Sequence, residues 1–316
     1  MTRISAIVVS YFTGPLLNRS IEALRAQDPV DEIILIDNGN PKGAVARAIE
    51  GAGAPVIVLS GQGNVGFAAA CNKGAQIAGG EYLLFVNPDA VLEAGAAARL
   101  ISDAATLARP WLVGAKIVDP DGAEQQGSRR NALTPARAIG ELLRLDRFGG
   151  EERRFNLHET PCPEEMVEMP VISGACFLVP SKDFHDIGGM DERYFLHVED
   201  VDFCRRFSEN GGRVYFNPNV RVVHFKGSSR SSRAGVEAMK AKSLSRYFHA
   251  HFSENYPAPA LWAIDGLLWS AFAARAGLGA MRWIARGTVF FLRNGPRGMA
   301  RARSMARRRK ALRNNS

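Results

Sequence analysis

Five polar clusters along the chain carry residue types that can do chemistry. Asp37-Asn38 offers a carboxylate able to accept the N3 proton of uracil or thymine, a proton that cytosine lacks. The same pair also fits a cap in a strand-to-helix loop. Gly61, Gly63, Asn64, Gly66 and Phe67 make a glycine-rich turn before an alanine-rich helix containing Asn72, where backbone can approach a ribose or a phosphate. The turn lacks both the Gly-Lys-Ser/Thr ending of a P-loop and the spacing of a dinucleotide fingerprint. In Asn87-Pro88-Asp89 one carboxylate suffices for a hard cation shared with two phosphates, and an Asx-Pro turn without a ligand fits as well. His224 would complete a carboxylate and imidazole pair suited to manganese, although most lone histidines at strand ends bind nothing. Glu199, Asp200 and Asp202 stand at a helix start, where the helix dipole favours acids; three acids in four residues exceed what a cap requires. One of them can take the proton of an attacking hydroxyl while a cation bears the charge of a departing diphosphate.

These clusters need a scaffold that brings them together. Residues 4–10, 33–36, 56–59 and 82–86 are short apolar runs separated by helical patterns, such as the stripe Leu16, Leu17, Ser20, Ile21 and Leu24. That alternation predicts a parallel sheet with crossover helices. The runs end in Ser10-Tyr11, Asp37-Asn38, residues 60–64 and Asn87 to Asp89, and the carboxyl ends of such strands form one crevice. Further strands are expected at 111–118, 171–179, 213–216 and 220–225, with helices at 201–209 and 236–252. Residues 124–170 are weakly patterned, with a short helix expected at 135–145. The segment reads either as a mobile loop over the crevice or as a plain surface insertion.

The formal net charge of +8 suggests nucleic acid until it is mapped. Residues 293–316 hold nine Lys/Arg and no Asp/Glu, and without them 31 basic residues face 32 acidic ones, a net of −1. The body therefore has no charge-based reason to bind nucleic acid, and none is expected as a partner. Cys71, Cys162, Cys176 and Cys204 are widely spaced, with no zinc pattern, and fit a reducing cytoplasm. The apolar start of the chain carries Ser5 and Ser10 and lacks a small-x-small cleavage site, so it is not read as a signal peptide.

Taken in order, Ile7-Val8-Val9-Ser10-Tyr11, Ile34-Leu35-Ile36-Asp37-Asn38, Gly63-Asn64-Val65-Gly66-Phe67, Phe85-Val86-Asn87-Pro88-Asp89, Ser173-Gly174-Ala175 and Glu199-Asp200-Val201-Asp202 resemble the family-two inverting glycosyltransferases of the GT-A fold. Within them the likeness is to bacterial rhamnosyltransferases that use dTDP-rhamnose, and residues 243–252 add to it. The resemblance implies an α/β, Rossmann-like mixed sheet flanked by helices, with Mg²⁺ or Mn²⁺ as cofactor. It assigns the metal to Asp89 and His224, with Asn87 where the family's Asp-x-Asp motif commonly begins. It makes Asp200 the catalytic base, with Glu199 next in line. Its nucleotide-sugar site comprises Val9, Ser10, Tyr11, Asp37, Asn38, Asn64, Gly66, Phe67, Asn72, Asn87, Pro88, Asp89 and Gly174. The implied partners are a dTDP- or UDP-sugar donor and a glycan or lipid-linked acceptor of polysaccharide biosynthesis.

The expected catalytic domain is 1–256, divided into a nucleotide-binding half, 1–120, and an acceptor half with a closing helix, 121–256. Residues 257–316 are expected to form basic amphipathic helices. From 266 to 316 there is no acidic residue, while Leu267, Leu268, Trp269, Phe272, Leu278, Met281, Trp283, Ile284, Phe290 and Phe291 are apolar and bulky. Arginines interrupt them too often for a membrane span of about 20 residues. An interfacial attachment to anionic lipid at the inner face of the cytoplasmic membrane is expected, with docking of the apolar side on the enzyme body as the alternative.

Overall fold

In the computed structural model, residues 3–226 and 233–277 are described. The first half follows the expected alternation: β1 (Ile4–Ser10), α1 (Leu16–Arg25), β2 (Val30–Asp37), α2 (Ala44–Ile49), β3 (Val56–Leu59), α3 (Phe67–Ile77) and β4 (Tyr82–Val86). Strands β3, β2, β1 and β4 lie side by side and parallel. All seven residues of β1 are buried because both faces of the sheet are covered. Its side chains alternate between two cores, Ile7 and Val9 entering one, Ala6 and Val8 the other.

The sheet continues through β10 (Cys176–Pro180), β6 (Trp111–Val118), β11 (Arg213–His224) and β5 (Ala90–Leu92), with β8 (Val167–Glu168) also on β11. Here β10 is antiparallel to both neighbours, whereas β6 and β11 are parallel, so the sheet is mixed. The two strands expected at 213–225 are the single β11, with a register irregularity between Asn217 and Arg221. The run expected at 171–179 is interrupted: β9 (Val171–Ile172) leaves the main sheet, and the turn Ser173-Gly174-Ala175 leads into β10. Neither β5 nor α4 (Ala96–Ala104) was foreseen.

Residues 124–170 are stitched into the fold, not laid over it. Within them β7 (Arg129–Arg130) pairs with β9, and α5 (Pro135–Leu142) is capped by Thr134, whose hydroxyl accepts the Arg137 N–H at 3.2 Å. Buried Arg129 donates to Glu124 at 2.9 Å and to the Thr160 carbonyl at 2.7 Å. These long-range bonds leave no periodic apolar pattern, which is why the sequence reading found none.

After α6 (Ser181–Asp186), α7 (Glu199–Glu209) carries the acid cluster, and α8 (Arg233–Phe252) packs over the core through Tyr247 and Phe248. A last described helix, α9, spans 258–277. The expected division after residue 256 falls between α8 and α9. Leu261, Ile264, Leu268 and Phe272 of α9 join the core of the body, while Trp262, Leu267 and Trp269 stay exposed. The apolar residues foreseen beyond 277, from Leu278 to Phe291, lie outside the described residues.

Candidate active site

The ends of β1 and β2 are tied to each other. Ser10 is fully buried, its hydroxyl 3.0 Å from that of Thr13 and donating to Asn40 Oδ1 at 3.1 Å. Tyr11 follows at the rim, half-buried and edge-on to Phe12. Asp37 Oδ1 accepts the backbone N–H groups of Gly39 (3.0 Å) and Asn40 (2.8 Å) and the Asn40 side-chain amide (2.8 Å). The capping arrangement therefore occupies one carboxylate oxygen, and Oδ2 receives none of these three bonds. Asn38 is buried and donates to the Gly66 carbonyl at 3.1 Å, which fixes the glycine-rich turn against the end of β2.

Gly66 has φ +89°, and a Cβ there would lie 2.7 Å from the carbonyl oxygen of Phe195. Only glycine lets this turn approach so closely. The next residue, Phe67, donates its N–H to that same carbonyl at 2.8 Å, while Asn64 accepts the Gly66 N–H at 3.2 Å. Asn72 uses both ends of its amide on the backbone of Met190, at 2.8 and 2.9 Å. Helix α3 is thus braced to the loop that leads into α7.

Asn87, Pro88 and Asp89 link β4 to β5. Asp89 Oδ1 lies 3.1 Å from His224 Nε2, and Asn87 Nδ2 lies 3.3 Å from the same nitrogen. The other ring nitrogen, His224 Nδ1, is 2.7 Å from Oε1 of buried Gln125. An amide oxygen can only accept, so Gln125 holds the proton on Nδ1 and turns the Nε2 lone pair toward Asp89. The Asn87 amide can donate to that lone pair, and the Asp89 carboxylate faces the same nitrogen, so a carboxylate oxygen and an imidazole nitrogen converge on one point. The donor set, one carboxylate with one imidazole, fits a divalent metal.

The turn 173–175 connects this pair with the acid cluster. The Ala175 carbonyl accepts the Asn87 N–H at 2.9 Å, and the Gly174 N–H donates to Asp200 Oδ2 at 3.0 Å. A side chain at Gly174 would meet Asp200 Cβ at 3.1 Å. One three-residue turn therefore bonds to both candidate centres.

Glycosyl transferase family 2 matches residues 5–178, more than half of the chain. The chain belongs to that family. It is 29% identical over 283 residues to the N-acetylglucosaminyl-diphospho-decaprenol L-rhamnosyltransferase of Mycobacterium tuberculosis, covering 83% of this chain and 89% of that protein. It is 27% identical over 246 residues to the O-antigen biosynthesis protein RfbC of Myxococcus xanthus, covering 74% of this chain and 18% of RfbC. Its fold is shared with GalNAc-T7, solved with UDP, GalNAc and Mn²⁺ (TM-score 0.57, 19% identity, 79% of this chain and 48% of that one). The mannosyltransferase PcManGT of Pyrobaculum calidifontis, solved with GDP-Man and Mn²⁺, shares it too (TM-score 0.53, 18% identity, 92% and 80%).

In this family 2 glycosyltransferase two further residues, neither expected from the sequence, act on the acid cluster and on His224. Arg130 donates to Asp200 Oδ2 at 2.6 Å and also to the Ile172 carbonyl, with its guanidinium 5.8 Å from the Phe155 ring. Gln125 orients His224 in the same way. Both lie in the segment read as weakly patterned; the adjacent arginines Arg129-Arg130 were the available signal. Burial alone would raise the Asp200 carboxyl, but the charge and hydrogen bond of Arg130, with the N–H groups of Gly174 and Val201, hold it below the usual carboxylate range. Glu199 goes the other way: burial, then the charge of Asp200, push it up to about 8, and its Oε2 has no hydrogen-bond partner among the described residues. Two neighbouring acids are thereby set to carry one proton at neutral pH. Ahead of them His197 (φ +68°) and Val198 (φ +71°) occupy the left-handed region, which strains a β-branched residue.

Proposed function

We propose that this glycosyltransferase transfers L-rhamnose from dTDP-rhamnose, with inversion, to a lipid-linked glycan acceptor at the inner face of the cytoplasmic membrane. The observation that carries the reading is the joining of the Asp89–His224 pair and of Asp200 through one turn, in a chain whose relatives include a lipid-diphosphate rhamnosyltransferase. Asp89 and His224 would hold Mg²⁺ or Mn²⁺, which when bound offsets the charge of the leaving diphosphate. Asp200, ionised and fixed by Arg130 and Gly174, accepts the proton of the acceptor hydroxyl as its oxygen bonds to the anomeric carbon and the bond to the diphosphate breaks. Asp37 presents a carboxylate to the N3–H of thymine or uracil, while Val9, Ser10, Tyr11, Asn64 and Phe67 shape the nucleoside side.

The test is transfer by the full chain from dTDP-rhamnose, UDP-sugars and GDP-sugars to a synthetic prenyl-diphosphate N-acetylglucosamine, read by mass spectrometry. Rhamnosyl product from dTDP-rhamnose alone is expected; product only from a UDP-sugar overturns the donor assignment. In the same assay dTDP and UDP should compete while CDP does not. Asp37→Ala should erase that preference, and equal inhibition by all three in the wild type removes Asp37 from the base pocket.

A further inference from the structure

Nine large hydrophobic side chains are exposed among the described residues, and six belong to two elements. Leu143, Leu145 and Phe148 sit at the end of α5 and in the helical turn Leu145–Phe148, with Phe148 86% exposed. Trp262, Leu267 and Trp269 sit on α9, with Trp262 64% exposed. Exposed hydrophobics scattered singly need no explanation, whereas clusters mark interaction surfaces.

The two elements are neighbours. Ala138, Ile139 and Leu142 of α5 pack against the core that Leu261, Ile264, Leu268 and Phe272 of α9 enter. Glu141 of α5, pushed up by burial and by Asp146, is pulled back by Asn156 and by Arg275 of α9. Helix α9 is mostly apolar, its polar side chains being Asp265, Ser270 and Arg275. Its buried stripe docks on the body, and the opposite face, with Trp262, Gly266, Trp269, Ala273 and the single hydroxyl of Ser270, is exposed and bears no charge. A helix with no polar face belongs in a core or against lipid. Asp265 and Arg275 argue against crossing, and no described helix is long and apolar enough to cross a membrane.

Charge decides what covers this face. The chain beyond α9, residues 278–316, carries eleven Lys/Arg and no Asp/Glu. Tryptophan favours the boundary between hydrocarbon and water, and basic residues favour anionic headgroups, so a single surface satisfies both. The start of α5 leads to the acid cluster, four residues separating it from Arg130, which is bonded to Asp200.

We infer that the end of α5, its following turn and the outer face of α9 form one interfacial surface that seats the enzyme flat on an anionic lipid bilayer. The seating deepens the proposed action on a lipid-linked acceptor, but the binding does not depend on that action. The experiment is flotation of the full chain with vesicles of phosphatidylcholine alone, or of equal parts phosphatidylcholine and phosphatidylglycerol, without glycan or nucleotide-sugar. The wild type should float with the anionic vesicles and lose part of its binding in high salt. Leu145→Ser with Phe148→Ser, and separately Trp262→Ser with Trp269→Ser, should each lower partitioning at least about tenfold, equivalent to about 1.4 kcal/mol. Both should keep wild-type transfer to a soluble acceptor analogue and an unchanged circular dichroism spectrum. Failure of the wild type to float at low salt overturns the inference, as does unchanged binding by both double variants. So does a dimer in size-exclusion chromatography that Phe148→Ser or Trp262→Ser returns to monomer. A chain that floats but transfers no rhamnose rejects the proposed donor and acceptor and leaves the surface standing.

Discussion

The strand ends of the proposed donor half and the surroundings of α7 in the proposed acceptor half satisfy their polar groups in opposite ways. At the ends of β1 and β2 and within α3, Ser10, Asp37, Asn38 and Asn72 are bonded to neighbouring backbone and side chains, and positive φ at the glycine-rich turn falls on glycines. Around α7, by contrast, Glu199 Oε2, Arg130 Nε and His197 Nε2 are buried without a hydrogen-bond partner among the described residues, and two consecutive non-glycine residues sit in the left-handed region. Buried unpaired groups cost about 1–3 kcal/mol each, so they persist only where surrounding structure over-determines them. The strand ends on the proposed donor side are thus closed by their own bonds, with Phe12 (φ +50°) and Arg25 Nε as local exceptions in that half, whereas the unmet bonding capacity around α7 lies next to the carboxylate proposed to exchange a proton.

The largest expected effect tests the acceptor half. Asp200→Asn keeps the shape but cannot take a proton, and kcat should fall by about 10²-fold or more with donor affinity near wild type. Retention of more than about a tenth of kcat would remove Asp200 as base and turn attention to Glu199. Steady-state kinetics with a soluble acceptor, paired with calorimetric titration of dTDP, separates the two quantities.

Changes at the proposed metal pair, Asp89 in the donor half and His224 in the acceptor half, should act on the cation instead. Asp89→Ala and His224→Ala are each expected to raise the Mn²⁺ or Mg²⁺ concentration giving half-maximal activity by about 10- to 100-fold, with the wild type silenced by EDTA. Full wild-type activity in chelator would break the contrast, because both halves would then serve proton transfer alone.

The smallest effect is on stability. The Glu199 carboxyl is raised in the folded protein, so between the usual carboxylate range and about 8 the folded chain binds more protons than the unfolded one. Stability from this group is complete at the acid end of that window and is lost as pH rises through about 8. Glu199→Gln, a neutral isostere, should remove that loss, so at pH 9 its Tm should exceed that of the wild type by at least about 2 °C. Thermal scans at pH 5 and pH 9 check this; parallel losses in both proteins would mean that Glu199 is not protonated when buried.

Much of the donor half was legible in residue order. Runs such as 82–86 and 111–118 coincide with β4 and β6, because a strand buried on both faces must be almost continuously apolar and must end where polar residues begin. The strand-end position of Asp37 and Asn87 follows from the same rule, as does the place of the acids at the start of α7. What the residues alone left open is which partner each polar group takes. Arg130 reaches Asp200 across 70 positions and Gln125 reaches His224 across 99, while Gly66 is required by a carbonyl near residue 195. No periodic pattern encodes such contacts. They exist only once β7, β9 and the turn 173–175 are brought against α7 and β4, and that assembly decides that Asp200 is ionised while Glu199 keeps its proton.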